Sequence, residues 1–565
     1  MLDKVQKGFQ YLKSRGIRET AAHAREKYRD SHFDYNRWVY SQKLSPAAKG
    51  YQKSLTLSDM PKIWAMVLRG EEDGRRESRL PEASILRQTR KCEGLLEVLT
   101  TRVEDDDLIV FVPDGAILSE DAFFRIACAA REGARCLYSD EDLFEPVSQR
   151  EHEVPHFSAP RFKPDFDPDY LRSMNYIGSL YAVRAGLLRQ AEEESGSNNL
   201  ASAKVLSDYA AYYKMILLTS CLAEKAASSQ IVHIPKILCH LRRREEKSDD
   251  ERLREVLKED LRFRNREGIV EYGPAPGTFH LYYPVRENPL VSIIIPNKDH
   301  SDLLRECIAS IRDRTLYENL EVIIAENNSE EEETFRTYEE LKKDEKLRVR
   351  VVTYGRDGFN FSEIINQGAA AAAGDYLVLM NNDVTVKSPD WIERLLSQVR
   401  REGVGAAGPR LLYPDGTIQS AGIVIGIMGF AGSMMVGESG DRTGYMHRAL
   451  VTQEMSAVTA ACMMVKKSAF LETGGFDASL AVALNDVDFC LKLGQAGYRV
   501  IYEPTAVLFH HESRSRGYED SPEKRERFNN EKKIFTDRYR KMLLAGDPHY
   551  NPNLSDRKCD YSQKT

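Results

Sequence analysis

The second half of the chain alternates apolar runs of two kinds. Val291 to Ile295 is an apolar, β-branched run closed by Pro296, which reads as a buried parallel strand. From Asp302 to Arg314, Leu304, Cys307, Ile308 and Ile311 fall on one helical face, and that spacing predicts a helix. A strand over Glu321 to Ala325 and another over Arg348 to Thr353 follow. A helix from Ser362 to Ala373, closed by Gly374, precedes a strand over Tyr376 to Met380. Alternating strand and helix predicts a doubly wound sheet. Such sheets bind ligands outside the carboxyl ends of their strands. Here those ends read Pro296-Asn297-Lys298-Asp299, Glu326 to Ser329, and Asn381-Asn382-Asp383, all polar, as in a nucleotide crevice.

The first half shows a weaker version of the same pattern. Leu108 to Val112, followed by Pro113-Asp114-Gly115, matches Tyr376 to Met380 and Asn381-Asn382-Asp383. Ile231 to His240 matches Val500 to His510, and Asp208 falls where Asp486 would. A near-constant offset suggests duplication of one domain. The stretch between the first strand and the carboxylate strand is about half as long in the first copy, which leaves no room for one strand and helix that would shape a nucleotide pocket. The expected fold is therefore α/β, with two Rossmann-like, doubly wound mixed-sheet domains in tandem, the first degenerate. The boundaries fall at 1–50 (a basic helical segment), 55–245 (degenerate domain), 246–288 (helical linker with the breaker cluster Gly273 to Gly277), 289–520 (the second domain) and 521–565 (a charged helix and a Pro/Asn-rich tail).

Composition narrows the function. A net charge of −7 over 565 residues gives no general affinity for nucleic acid. No run approaches the length of a spanning helix, and the leading residues lack an apolar signal core. Nine scattered cysteines suit a reducing compartment, so a cytoplasmic location is expected. Residues 1–50 are basic, with Val5, Phe9 and Leu12 at helical spacing among lysines. This segment either rests peripherally on an anionic membrane, at the inner face of the plasma membrane, or docks on its own protein.

Three segments carry candidate chemistry. A departing nucleoside diphosphate must have its charge neutralised, and a divalent cation held by carboxylate and imidazole does this. Asp383 and His510, each at a strand end, are the candidate metal ligands. His511 would face the opposite way. Asp486, at a helix start, is the candidate base for an acceptor hydroxyl; the competing reading is an N-cap. Asp488 in the same turn is explained by the helix dipole. Asn381 and Asn382, with Pro296, Lys298, Asp299, Glu326 and Asn328, are placed to contact nucleoside and ribose. Asn366 and Arg514 join them, although an amide such as Asn366 can equally satisfy backbone groups. Trp391 reads as core.

The run VSIIIPNKDH, IIAENNS, GFNFSEIINQGAAAAAGDYLVLMNNDV, VTAACMMV, GGFD, ALNDVDFCLKLGQAGYR and FHHESRSRG resembles family 2 glycosyltransferases of the GT-A fold, in particular the bacterial rhamnosyltransferase-like enzymes of cell-surface polysaccharide synthesis. YSDEDLF (138–144), FKPDFDPDYLRSMNYIG (162–178) and NPNLS (551–555) resemble the tandem-domain form of that family. The resemblance implies inverting transfer from a nucleotide-sugar donor to a glycan or lipid-linked glycan acceptor, assisted by Mg²⁺ or Mn²⁺. It maps the metal-binding carboxylate to Asp383, the base to Asp486 and the histidine to His510. Asn381 replaces the first acid of the D-x-D-like motif, and the first domain has lost its opening motif to KIWAMVL (62–68). That domain is then a scaffold, an acceptor-binding module or an oligomerisation surface. Two other readings remain: a nucleotidyltransferase, which would favour a Gly-rich phosphate loop, and a non-catalytic glycan-binding or assembly subunit.

Overall fold

The computed structural model describes residues 32–55, 59–69, 79–145, 155–197, 200–243, 248–356, 358–512 and 521–565. Two mixed sheets dominate it. The first contains β1 (Ile63–Leu68), β2 (Gly94–Leu95), β3 (Leu108–Pro113), β4 (Ile117–Leu118), β5 (Cys136–Glu145), β6 (Tyr181–Arg184) and β7 (Ile231–Arg242), in the order β2-β1-β3-β6-β5-β7-β4. The second contains β8 (Val291–Asn297), β9 (Leu320–Glu326), β10 (Val349–Thr353), β11 (Tyr376–Met380), β12 (Val384–Val386), β13 (Val404–Leu412), β14 (Cys462–Lys466) and β15 (Arg499–His510), in the order β10-β9-β8-β11-β14-β13-β15-β12.

Strand by strand the two orders superpose. β1–β3 and β8–β11 are parallel. β6 and β14 each run antiparallel to both neighbours. β5–β7 and β13–β15 are parallel again, and each last long strand carries a short antiparallel edge, β4 or β12. Among the described residues β10 has no counterpart in the first sheet, and β9 is matched only by the two residues of β2. The tandem GT-A-like architecture is thus present, with the first copy reduced on the side where the second has two extra turns of strand and helix.

The second sheet is buried on both faces. Ile293 and Ile295 pack with Leu304 and Ile308 of the helix Ser301–Arg314, whereas Ile294 packs with Ile364 and Ile365 of the helix Phe361–Ala371. The period of two along a strand sends successive side chains to opposite layers, and each fully buried isoleucine contributes about 1.5–3 kcal/mol. β8 runs on through Pro296 to Asn297 instead of stopping at the proline. Its ladder with β11 ends at Ile294 while the ladder with β9 continues to Asn297, so the missing N–H lies beyond the doubly paired stretch.

The halves are joined by buried charge and by the C-terminal tail. Asp169 of the first half accepts from Arg401 Nη2 at 3.1 Å and Arg499 Nη1 at 2.9 Å. Asp167, Asp169 and Glu454 bring carboxylate oxygens within 4.8 Å of one another. Arg172, Arg401 and Arg499 already neutralise this group, so it is an interdomain ion network rather than a cation seat. The tail then crosses back, with Asn551 Nδ2 donating to both carboxylate oxygens of Asp140 at 3.0 Å and to the Lys163 carbonyl at 2.8 Å. Residues 1–31 of the basic segment lie outside the described residues. The helix Tyr35–Ser41 that follows docks on the first domain, with Tyr35 hydroxyl on Asp142 Oδ2 at 2.7 Å.

Candidate active site

The polar edge forms where β8, β9 and β11 end. At the end of β11 the chain turns through Asn381, Asn382 and Asp383 into β12, whose pairing with β15 sets Val384 opposite His510. That register brings His510 Nε2 to 3.3 Å from Asp383 Oδ1, both residues being buried. His510 Nδ1 has no hydrogen-bond partner among the described residues. His511 turns the other way and meets Thr385 Oγ1 at 3.1 Å, as strand alternation requires. A carboxylate and an imidazole side by side are a hard-to-borderline donor set that suits Mg²⁺ or Mn²⁺. The unpartnered ring nitrogen leaves the imidazole free to choose the tautomer that ligation needs.

Asp486 lies in the first turn of the helix Asn485–Gln495 but does not cap it. The N-cap is Leu484, in the left-handed region at φ 61°, with no side-chain cap bond. A branched apolar residue costs about 1–2 kcal/mol there. Asp486 Oδ2 instead accepts from Ala460 N–H at 3.2 Å and Oδ1 from Val487 N–H at 2.8 Å. Burial lifts its carboxyl above the ordinary aspartate range, against the pull of those donors and of the Thr459 hydroxyl. The same turn continues to the metal edge, because Ala461 carbonyl accepts from Asn381 N–H at 3.0 Å. β11 and β14 are paired up to Met380 and Cys462, so the turn that binds the base candidate lies at the end of β11 from which the chain runs on to Asp383.

Other predicted contacts are taken by the protein itself. Asn366 gives its amide N–H to Phe476 carbonyl at 2.8 Å and accepts from Phe476 N–H at 2.9 Å. Through these two bonds it clamps the chain that follows the Gly474-Gly475 turn. Asn382 Nδ2 donates to Asn297 Oδ1 at 2.7 Å. Asp299 Oδ1 accepts from Glu330 and Glu331 N–H at 2.8 and 3.0 Å, and Asn328 Nδ2 donates to Arg356 carbonyl at 2.7 Å. Glu326 Oε1 accepts from Ser329 N–H at 2.5 Å. Asp299, His300 and Asn328 all have positive φ, so these loops spend their polar groups on holding a strained edge. Lys298 is half exposed and 3.6 Å from Glu330. Pro296 and Asn381 stay partly exposed at the strand ends. Asp488 is fully buried against Arg538 and the Tyr539 hydroxyl, the latter at 2.8 Å. With Glu531, which accepts from Val482 and Ala483 N–H, it fixes the base helix to the C-terminal helix Pro522–Arg538. Trp391 is core, donating to Thr315. Ser513, Arg514 and Arg516 lie outside the described residues. A cavity of about 500 Å³ in the first domain, lined by Lys214, Glu259 and Phe263 among others, involves none of these groups.

The sequence reading gave no role to Thr459, whose Oγ1 accepts from Ala461 N–H at 3.2 Å; its only sequence signal was the polar residue opening TAAC before a buried strand.

Residues 292–473 match the family described as glycosyl transferase family 2. That match lies wholly within the second domain and runs from β8 through β14. The chain is 34% identical over 501 residues to the O-antigen biosynthesis protein RfbC of Myxococcus xanthus, a match that covers 84% of this chain and 37% of that protein. It is 30% identical over 151 residues to an N-acetylglucosaminyl-diphospho-decaprenol L-rhamnosyltransferase of Mycobacterium tuberculosis, covering 25% of this chain and 49% of that protein. The chain thus spans about half or less of the length of the curated relatives it matches. Among solved structures, a mannosyltransferase from Pyrobaculum calidifontis in complex with GDP-Man and Mn²⁺ overlaps 50% of this chain and 73% of its own at 17% identity and TM-score 0.34. That overlap is too partial to bear on function.

Proposed function

We propose that the second domain transfers a sugar, with inversion, from a nucleoside-diphosphate donor to a glycan hydroxyl in cell-surface polysaccharide synthesis. The observation that carries the reading is the turn at Thr459–Ala461, which binds Asp486 through Ala460 and, through Ala461, Asn381, two residues before the Asp383 that faces His510. Asp383 and His510 would hold Mg²⁺ or Mn²⁺, which when bound supplies positive charge to the departing diphosphate. Asp486 accepts the proton of the attacking hydroxyl, aided by the burial that raises its proton affinity. A single carboxylate acting as base gives one displacement, hence inversion. The rhamnosyltransferase and O-antigen relatives favour a deoxyhexosyl donor such as a dTDP-linked rhamnose, and a lipid-linked glycan acceptor. No helix among the described residues is long and apolar enough to cross a membrane. Access to a lipid-linked acceptor would therefore rest on peripheral contact at the inner face of the plasma membrane, for which the basic residues 1–50 are the candidate.

The experiment uses Asp486→Asn. Transfer should fall by about 10²–10⁴-fold, while thermal stabilisation by nucleotide-sugar and Mn²⁺ persists, because a ligand that binds the native state raises its stability whether or not turnover follows. Unchanged turnover would remove Asp486 from the chemistry.

A further inference from the structure

Asn297, the last residue of β8, sits where the ends of β8, β9 and β11 meet. Its amide is buried and bonded on both sides. Oδ1 accepts from Asn382 Nδ2 at 2.7 Å, while Nδ2 donates to the Asp299 carbonyl at 3.0 Å and to the Tyr338 hydroxyl at 2.9 Å. Asn382 and Tyr338 are buried as well. A carbonyl can only accept and an amide nitrogen can only donate. Asp299 therefore fixes which way the Asn297 amide points, and that polarity is the one Asn382 needs. With the amide reversed, two carbonyl oxygens would meet on one side and two NH₂ groups on the other.

The two ends of this link lie in different parts of the proposed site. Asp299 belongs to the loop beyond β8, in the left-handed region at φ 51°. It is cross-tied to the end of β9, because its N–H donates to Ser329 Oγ at 3.0 Å and its Oδ1 accepts from the Glu330 and Glu331 N–H groups. Asn382 is the second residue of the turn Asn381–Val384, and Asp383 is the third. Val384 N–H closes that turn on the Asn381 carbonyl at 3.4 Å, beyond the usual N–H···O range of about 2.7–3.2 Å. The turn thus depends on holds from outside: the Ala461 carbonyl on Asn381 N–H at 3.0 Å, His511 N–H on the Asp383 carbonyl at 2.9 Å, and Asn297 on the Asn382 side chain.

We propose that Asn297 is a positioning residue, whose amide ties the turn presenting Asp383 to the loop beyond β8, so that the metal carboxylate and the nucleotide-side strand ends form one frame. The proposal rests on the glycosyl-transfer reading and deepens it. A cation that meets Asp383 already oriented does not have to order the turn. Partners of this kind behind a metal ligand account for about 10–100-fold in metal affinity.

The test is a Mn²⁺ titration of thermal stabilisation at fixed dTDP, UDP or GDP, using whichever nucleotide stabilises the wild-type protein. In Asn297→Ala the Mn²⁺ concentration at half effect should rise about tenfold. Asn382→Ala should raise it similarly, and the double variant should do no worse than the stronger single, because both changes remove one bond. A purely structural asparagine would lower the unfolding temperature without ligand and leave the Mn²⁺ midpoint in place. If Asn297→Ala does not fold, Asn297→Ser, too short to span both partners, serves with the same expectation. A wild-type midpoint in the folded Ala or Ser variant, or effects that multiply in the double variant, overturns the positioning role. If Asp383→Ala has lost the Mn²⁺ response in the same assay, the glycosyl-transfer reading survives that result. A wild-type protein that Mn²⁺ does not stabilise, or an unaltered response in Asp383→Ala, overturns the metal seat and this proposal together.

Discussion

The last long strand of each sheet carries a histidine at or near its end, His510 as the final residue of β15 and His240 two residues before the end of β7, and the two histidines have opposite company. In the second domain His510, opposite Val384, faces Asp383 at 3.3 Å with one ring nitrogen unpartnered among the described residues. In the first domain His240, opposite Ile117 in the equivalent pair, meets Asp142 Oδ1 at 2.5 Å, and Tyr35 occupies the other oxygen. By that register Ala116, fully buried, stands where Asp383 does, so Asp114 is out of place for the role that the motif comparison gave it. Asp208, the counterpart of Asp486, caps the helix Tyr209–Ala226 and pairs with Arg252 at 2.7 and 2.9 Å. Beside His240, Asp140 holds His233 and Asn551, and Lys163 holds Glu141 at 3.0 Å with both side chains out of solvent. The comparison teaches that one topology yields either a site or a staple. An edge that keeps a histidine nitrogen unpartnered among the described residues, beside a carboxylate, can do chemistry, whereas one whose histidine and acids are bound by the chain's own ends contributes order.

The sharpest way to break this comparison is to remove one acid from each edge. Asp383→Ala should lower transfer by about 10³-fold and abolish the Mn²⁺-dependent part of donor stabilisation in a thermal-shift measurement, while Asp114→Ala leaves turnover within about twofold. Equal losses would make the first domain a second active edge. Next in size, Lys163→Met takes from buried Glu141 its nearer cation and leaves only the partly exposed Arg161 at 3.5 Å. Burial alone would raise that carboxyl, and Lys163, with Arg161 and the Ser179 N–H, brings it below the usual range. The variant should lose about 3–5 kcal/mol in denaturant unfolding, with normal specific activity in the folded fraction.

The third effect concerns the seam. Burial, with Glu454 and Asp169 nearby, pushes Asp167 up to about 8. Its folded pKa lies above its unfolded value, so the folded state binds a proton that the unfolded chain has released. Stability therefore falls as pH rises from about 4 to 8, by at most about 1.4 kcal/mol per pH unit for one proton. Asp167→Asn should flatten that part of the unfolding profile. An unchanged slope would show that Asp167 is ionised at the seam.

Much of the second domain was legible because its signals are local. The β-branched run at Val291, the helical spacing of Leu304, Cys307 and Ile311, and the polar residues after each strand depend on neighbours a few positions away. Asp486 was visible as an acid at a helix start, yet its separation from the N-cap role needed the backbone at Leu484. Asn366 shows the opposite limit: an amide at a strand-to-helix turn reads alike whether it meets a nucleotide or the Phe476 backbone, and only the fold brings residue 476 to it.

The sequence by itself determined the alternation of elements, the duplication and the residue types at each strand end, since these follow from periodicity and spacing along the chain. Tertiary structure alone decided which acids share an edge, that the tail's Asn551 closes on Asp140, and that the Ala460 N–H reaches Asp486. Those pairings join residues far apart in sequence, and no local propensity encodes a contact whose partner is chosen by how two sheets and a returning tail pack.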